Sequence, residues 1–448
     1  MLRVTLGLAL LAIASVALAR AGVLVWQDEL DHAAWFDRAN DVAIDGNRAV
    51  VVGLVNNDAF FTAGDFLVRT YALRSGRLLW DGTFDAAGRY DEAYAVSVAE
   101  GVAYVAGYTT DETFNTDLIV RAYGTRRGDL LWDARFDGGP SDLARAVVTD
   151  GTAVYAAGQT DAGGPMDFLV VALDAATGER LWVDRYDRSG ADDRARDLAL
   201  GAGRLFVVGT DEATPGARAD GLIRTYEAST GALLWQRHID VAGGFDAATA
   251  VVDGGECAIP AGRTRPCVHL AGSVTNAAGN SDFHVRTYDA GTGALLWKDS
   301  YDPDGGYDSA DTVAVGDGML FVGGGGTRPG RLDGHIVRAY DPATGALIWE
   351  TRRESRTDGM AVKDLAVGSG TVYSVGSGVK KRFPDYLVRA YSSATGALQW
   401  EDRFDLERRS DSAEAVAFAR GRVISAGTGT RRPPERNFNM LVRTYRTR

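Results

Sequence analysis

Residues 117–136 read DLIVRAYGTRRGDLLWDARF, two apolar segments joined by a short polar turn, with a tryptophan in the second segment. Apolar runs of this length on either side of a glycine-containing turn predict two antiparallel strands. The unit Gly128-x-x-x-Trp132 within this stretch occurs seven times in the chain, and its successive tryptophans are 50 to 62 residues apart. Trp26, just after the apolar N-terminal run, is an eighth copy of the tryptophan. The full set is Trp26, Trp80, Trp132, Trp182, Trp235, Trp297, Trp349 and Trp400.

Each repeat divides into four short strands. In one repeat, strands are predicted at residues 91–98, 102–107, 117–123 and 129–136, with glycine or Asp-Gly turns between them. Four antiparallel strands in every repeat of about 50 residues are typical of a β-propeller blade. The sequence therefore predicts an all-β protein.

The two ends of the chain predict how the ring closes. Residues 441–445 form a third-type strand with no fourth strand after it, and residues 23–31 form a fourth-type strand with no third strand before it. Together they complete one blade, and pairing them leaves no unpaired edge. We therefore predict a single eight-bladed propeller over residues 22–448, with seven blades as the alternative.

The N-terminus has the features of an export signal. A basic start at residues 1–3 precedes an apolar run at residues 4–19, and small residues follow. Residues 1–21 are predicted to be a signal peptide cleaved near Ala19 or Ala21, with a retained anchor as the alternative. The mature protein is expected to be periplasmic or secreted, without stable membrane insertion.

The two cysteines fit an oxidising compartment. Cys257 and Cys267 bracket a short insert that interrupts the repeat, and we predict a disulfide between them. Two free thiols are the alternative.

The net charge of −12 disfavours nucleic acid as a partner, because phosphates need a basic surface. An acidic chain is better suited to cations or basic partners. The turn before each predicted first strand usually carries two aspartates. The second members are predicted to bring negative charge to one channel mouth and to bind a ligand there, and a purely turn-forming role is the alternative. These candidate ligand-binding residues are Asp37, Asp91, Asp142, Asp193, Asp246, Asp308 and Asp411.

Within this set, residues 302–308 read DPDGGYD, which makes Asp302, Asp304 and Asp308 weak candidates for calcium ligands. No other metal site is predicted. The tryptophans are predicted to be structural, because a large aromatic side chain repeated around a ring packs neighbouring blades together. An Asp followed four residues later by an Arg recurs on the third strands, as in Asp220 and Arg224, and is predicted to bond neighbouring blades or turns.

Residues 172–182, ALDAATGERLW, resemble the tryptophan-docking repeat of pyrroloquinoline-quinone-type propellers. Close variants stand at residues 287–297, 339–349 and 390–400. The resemblance implies an eight-bladed propeller of one of two kinds. One kind is the dehydrogenases that hold the quinone and calcium over the channel, and the other is the cofactor-free scaffolds similar to the barrel-assembly lipoprotein of the outer membrane. The larger quinone alcohol dehydrogenases commonly stack the cofactor on a disulfide between adjacent cysteines, whereas Cys257 and Cys267 are not adjacent.

We therefore predict a non-enzymatic, exported binding or scaffolding protein, monomeric, whose partner is a protein or a small cationic ligand. No catalytic residue and no cofactor are expected. A dehydrogenase that depends on pyrroloquinoline quinone or calcium and oxidises an alcohol or sugar is the main alternative, and lyase or glycan-binding activity stays open.

Overall fold

The computed structural model describes residues 22–32, 36–56, 63–259, 263–303, 305–327, 332–355, 361–379, 383–407, 409–431 and 438–447. The predicted signal peptide, residues 1–21, lies outside the described residues. Every named secondary-structure element of the described chain is a β-strand, and the strands form eight blades of four. The structure confirms the predicted all-β propeller.

The first four blades run from residue 38 to residue 239. Their strands are β2 (Arg38–Asp45), β3 (Arg48–Asn56), β4 (Gly64–Ala72) and β5 (Leu78–Phe84) in blade 1; β6 (Glu92–Ala99), β7 (Val102–Thr110), β8 (Thr116–Gly124) and β9 (Leu130–Phe136) in blade 2; β10 (Ser141–Thr149), β11 (Ala153–Asp161), β12 (Met166–Asp174) and β13 (Arg180–Tyr186) in blade 3; and β14 (Arg194–Gly201), β15 (Arg204–Glu212), β16 (Ala219–Glu227) and β17 (Leu233–Ile239) in blade 4.

The last four blades include both ends of the described chain. Their strands are β18 (Ala247–Ile259), β19 (Arg263–Thr275), β20 (Ser281–Asp289) and β21 (Leu295–Tyr301) in blade 5; β22 (Asp308–Gly316), β23 (Met319–Gly326), β24 (Leu332–Tyr340) and β25 (Leu347–Ser355) in blade 6; β26 (Val362–Gly368), β27 (Thr371–Val379), β28 (Pro384–Ser392) and β29 (Leu398–Phe404) in blade 7; and β30 (Ser412–Ala419), β31 (Arg422–Thr430), β32 (Phe438–Arg446) and β1 (Val23–Leu30) in blade 8.

Blade 8 closes the ring as predicted. Strand β1 pairs with β32 in antiparallel register, from Val23 opposite Arg446 to Leu30 opposite Met440. The innermost strands contact one another in sequence, β2 with β6, β6 with β10 and onward to β30 with β2, so they surround a central channel. Blades 2 and 3 are also linked by a single bridge between Thr116 and Ser141.

The core lies between the blades. Second and third strands are buried along almost their whole length, as in β12, whereas outer strands such as β13 alternate exposed and partly buried residues. This pattern explains why third strands are mostly apolar in the sequence: both of their faces pack on neighbouring blades. Tyr155 and Val170 of blade 3, for example, share a buried cluster with Val207 and Leu222 of blade 4.

The tryptophans join each blade to the next. The Trp132 indole Nε1 donates a hydrogen bond to the Ala175 carbonyl oxygen at 3.0 Å, and its ring lies over Gly178. Gly178 has φ +75°, and a Cβ at this position would stand 2.6 Å from a ring carbon, so only glycine fits. The same ring-over-glycine contact occurs in all eight junctions: Trp26–Gly76, Trp80–Gly128, Trp132–Gly178, Trp182–Gly231, Trp235–Gly293, Trp297–Gly345, Trp349–Gly396 and Trp400–Gly22.

Third-strand arginines form a second link between blades. Arg224 of β16 pairs with Asp184 on the outer strand of the preceding blade at 3.2 Å, and the Tyr226 hydroxyl donates to the same carboxylate at 2.7 Å. The ion-pair partner of Arg224 is therefore Asp184, which follows a tryptophan by two residues. Asp220, the aspartate four residues before Arg224 in the sequence, is not this partner. The other pairs of this kind are Arg69–Asp28, Arg338–Asp299 and Arg443–Asp402.

Cys257 and Cys267 form the predicted disulfide, which ties together the extended ends of β18 and β19. Both cysteines are buried, and they lie at the end of the β18–β19 hairpin away from the start of the inner strand. A search of the described residues for helices long and apolar enough to span a bilayer finds none.

Candidate functional site

The second aspartate of each turn is buried, which corrects the predicted acidic mouth. All seven candidates are at most 1% exposed. In the part of the chain that the structure describes, these carboxylates therefore offer no surface to a ligand entering the channel. The residues concerned are Asp37, Asp91, Asp142, Asp193, Asp246, Asp308 and Asp411.

Hydrogen bonds explain why these aspartates recur. The Asp193 carboxylate accepts the amide of Arg188 at 2.7 Å and the amide of Glu212 at 3.0 Å. It thus ties the incoming turn to the end of the blade's second strand. The same arrangement occurs at Asp246, with Val241 and Thr275, and at Asp411, with Leu406 and Thr430.

Burial raises the pKa of these carboxyl groups. The pKa of Asp193 rises to about 6 and that of Asp411 to about 7, because desolvation outweighs the backbone amides that stabilise the charge. The first aspartates of the turns are exposed instead. Asp85, for example, is exposed and accepts the amide of Ala87 at 3.1 Å.

The calcium candidates are not brought together as three accessible ligands. Asp304 lies outside the described residues, Asp308 is buried, and Asp302 is exposed and accepts the Gly305 amide. Among the described residues, the acidic group compact enough for an ion is instead Asp117, Asp137 and Asp142, whose carboxylate oxygens lie within 4.8 Å of one another. Sequence spacing did not reveal this group, because Asp117 comes from β8, Asp137 from the turn between β9 and β10, and Asp142 from the start of β10.

Each of the eight inner strands has a β-bulge near its start, at the channel mouth that these strand starts surround. The residue at each bulge faces the channel. Each inner strand has a register shift that leaves one residue unpaired near its start. Six of these eight bulge residues line two open cavities at the mouth. The bulge residues are Asn40, Tyr94, Arg145, Arg196, Thr249, Asp311, Lys363 and Glu414.

Three of the residues that follow a bulge are aspartates. Asp41, Asp197 and Asp364 each accept two amides, one from the next residue and one from the inner strand of the next blade. Desolvation raises their pKa values to about 6, 6 and 7, and the charges of Asp41 and Asp197 add to the rise at Asp364. They are partly accessible from the channel yet enclosed by protein.

One side of the mouth is cationic. A cavity of about 490 Å³ lies where blades 3, 4 and 5 meet, and its lining includes Arg145, Arg194 and Arg196. Across the mouth, a cavity of about 370 Å³ has mixed charges, with Lys363 and Glu414 in its lining. In place of the predicted acidic mouth, the mouth has sectors of different charge.

Comparisons with known proteins place the chain in a family. The model of the family described as outer membrane protein assembly factor BamB matches residues 116–265 and 281–432, more than half of the chain. The chain belongs to this family. A search of curated protein sequences found no match.

Solved structures similar to the chain are propellers of different functions. BamB from Moraxella catarrhalis is 12% identical with a TM-score of 0.54, and the alignment covers 95% of this chain and 99% of that one. Quinohemoprotein alcohol dehydrogenase from Comamonas testosteroni is 12% identical with a TM-score of 0.61, covering 96% of this chain and 77% of that one. Sqt1 from Chaetomium thermophilum, solved with the N-terminus of ribosomal protein L10, is 12% identical with a TM-score of 0.54, covering 92% and 99%. At these identities the likeness shows the fold alone.

Proposed function

We propose that the protein is an exported binding protein that holds a protein partner at the channel mouth where the inner strands begin. The observation that carries the proposal is the chemical variety of the bulge residues. Neutral, aromatic, basic and acidic side chains stand at one equivalent position of eight repeats. An irregular, mixed surface of this kind suits the specific recognition of one partner.

The rest of the repeat supports this assignment. Tryptophans, their glycines and the buried turn aspartates recur because packing and backbone hydrogen bonding make the same demand in every blade. The bulge positions at this mouth do not repeat one residue type. Asn40 and Thr249 hydrogen-bond carbonyls of the next blade, whereas the side chains of Arg145, Arg196 and Lys363 are exposed and therefore accessible to a ligand.

The family favours a protein as the partner. Its model is described as an outer membrane protein assembly factor, and a second similar propeller, Sqt1, was solved bound to a segment of another protein. Export is inferred from residues 1–21 and fits the disulfide between Cys257 and Cys267.

A quinone-dependent dehydrogenase is disfavoured by the position of the disulfide. Cys257 and Cys267 are 2% and 0% exposed and lie far along β18 and β19 from the mouth, so they offer no stacking surface there. Purified protein mixed with the quinone and calcium, then with an alcohol or sugar and a dye acceptor, is expected to show no turnover. Cofactor-dependent dye reduction would establish the dehydrogenase in place of the binding protein.

The binding function is tested by capturing the partner from the exported fraction. We expect the double variant Lys363→Ala/Glu414→Ala, which removes one charge of each sign from the mouth, to recover less partner than the unmodified protein. Arg126→Ala/Asp129→Ala is the matched control, because it removes the same charges from an exposed outer hairpin. Equal recovery by the mouth variant, or no specific partner with the unmodified protein, would contradict the proposal.

A further inference from the structure

The cationic cavity combines residues from three successive blades. Arg145 comes from β10, Arg194 and Arg196 from β14, and Thr249 from β18. Gln159 of β11 also lines it and is only 9% exposed, so a nearly buried amide accompanies the arginines. No single repeat contains all of these residues, which come together only where three blades meet in the folded protein.

The three guanidinium groups are incompletely neutralised. Arg194 pairs with Asp192 at 2.8 Å, but both side chains are about 40% exposed, and exposed ion pairs of this kind are weak. Among the described residues, the buried Nε of Arg194 has no hydrogen-bond partner. Arg145 is exposed and lies over the Tyr94 ring at 4.7 Å, and a contact with a ring face does not use its N–H donors.

Arg196 has no acidic partner among the described residues. Partial desolvation lowers the pKa of Arg196, and the charges of Arg145 and Arg194 lower it further. Asp197 follows it in sequence, but both carboxylate oxygens of Asp197 accept backbone amides, from Leu198 and Val251 at 2.8 Å.

Ion pairing between blades does not account for the cluster. Third-strand arginines such as Arg338 pair with an aspartate of the preceding blade, Asp299 at 2.7 Å, whereas Arg145 contacts the preceding blade through the Tyr94 ring. The cavity arginines repel one another without such a partner, in a protein of net charge −12. Like charges are stabilised in one cavity when a ligand of opposite charge occupies it.

We propose that the cavity lined by Arg145, Arg194 and Arg196 binds an oxyanion with several negative charges, supplied by acidic side chains of the protein partner. Guanidinium groups bind carboxylates through paired N–H donors, and three of them suit a ligand with two or more such groups. The choice of a protein as the source rests on the proposed function. A free polycarboxylate or phosphate would satisfy the same chemistry.

The test uses the full mature protein at low salt, with calorimetric titration of citrate, inorganic phosphate and the peptide acetyl-Glu-Glu-Glu-amide. Acetyl-Gln-Gln-Gln-amide is the neutral control. We expect the unmodified protein to bind citrate and the acidic peptide but not the neutral one. Arg145→Gln/Arg196→Gln should weaken both by at least about tenfold, the effect of losing about 1.4 kcal/mol of binding free energy.

The control Arg126→Gln/Arg127→Gln makes the same charge change on the exposed hairpin between β8 and β9 and should leave affinity within about twofold. Circular dichroism and thermal unfolding establish that both variants fold. Tighter binding of the peptide than of citrate or phosphate would support the partner as source, and the reverse order would overturn that source.

The oxyanion site and the protein-binding function give different outcomes in these experiments. If the protein captures its partner but binds none of the anions, or if both double variants weaken binding equally, the cavity is not an oxyanion site. If it binds the anions through Arg145 and Arg196 but captures no partner, the oxyanion site stands and the protein-binding function fails.

Discussion

At the residue scale, the turn aspartates illustrate how one side chain can be repeated for structural reasons alone. Asp193 is fully buried and accepts two backbone amides, whereas Asp187, six residues earlier, is exposed in the same turn. A buried amide that loses its acceptor costs its desolvation, while an exposed amide is satisfied by water. The two aspartates are therefore equivalent in the sequence and different in the folded protein.

We predict that Asp193→Ala lowers the free energy of unfolding by about 1–3 kcal/mol for each amide left unsatisfied. Asp187→Ala should cost less than about 1 kcal/mol, because its partners are exposed. Urea denaturation followed by fluorescence measures both. Similar small effects in the two variants would mean that the buried carboxylate is not a structural tie.

At the element scale, β18 and β19 are the longest of the described strands, and the disulfide lies in the extended part of their hairpin. In the chain-entropy model, a cross-link with a sequence separation of 10 stabilises the fold by about 2–3 kcal/mol. Cys257→Ser/Cys267→Ser should lose that amount, and a reducing agent should destabilise the unmodified protein but not the variant. An unchanged unfolding midpoint after complete reduction would contradict this role.

The inner strands also predict a pH dependence. Asp364 has a pKa of about 7 in the folded protein against an ordinary 3.8, so between these values the folded state binds more protons than the unfolded state. Its contribution to stability is present below about 3.8 and is lost as the pH rises through about 7. The free energy of unfolding should therefore fall from pH 5 to pH 8.

This dependence should be shallower in Asp364→Asn, whose side chain does not titrate, and shallower to a smaller extent in Asp197→Asn, since the pKa of Asp197 is about 6. Denaturant unfolding at several pH values supplies the slopes. A slope that is the same in Asp364→Asn and the unmodified protein would assign the effect to other groups.

At the scale of the whole molecule, closure of the ring gives every blade a neighbour on both sides, so none of the eight junctions between blades lies at an open end. In an open array the terminal repeats fray, so interactions there contribute less to stability than those in the middle. Trp26 joins blade 8 to blade 1 through a hydrogen bond to the Leu73 carbonyl at 3.0 Å, and Trp235 makes the equivalent bond to Ala290 at 3.0 Å. The two junctions have the same hydrogen bond and ring-over-glycine contact although Trp26 belongs to the first described strand.

We predict that Trp26→Ala and Trp235→Ala each destabilise the protein by about 3–5 kcal/mol. Leu234→Ala, which removes a side chain that is 42% exposed, is the control and should cost far less. Thermal and urea unfolding give the comparison. A cost at Trp26 well below that at Trp235 would indicate a ring that opens at blade 8.

The fold and its closure followed from the amino-acid order, because each blade repeats a local pattern of four strands and a Gly-x-x-x-Trp unit. The disulfide followed in the same way, since the insert places two cysteines on one hairpin. Such features depend on residues near one another in the chain, and the repeat sets how neighbouring blades meet.

The charge of the channel mouth was decided only by the tertiary structure. Whether an aspartate in a turn is buried or exposed depends on amides from another strand, as Asp193 shows. The cationic cavity depends on bulges that bring Arg145, Arg194 and Arg196 together from two blades. Burial and proximity across blades are properties of the closed ring, so residue types and spacing within one repeat do not contain them.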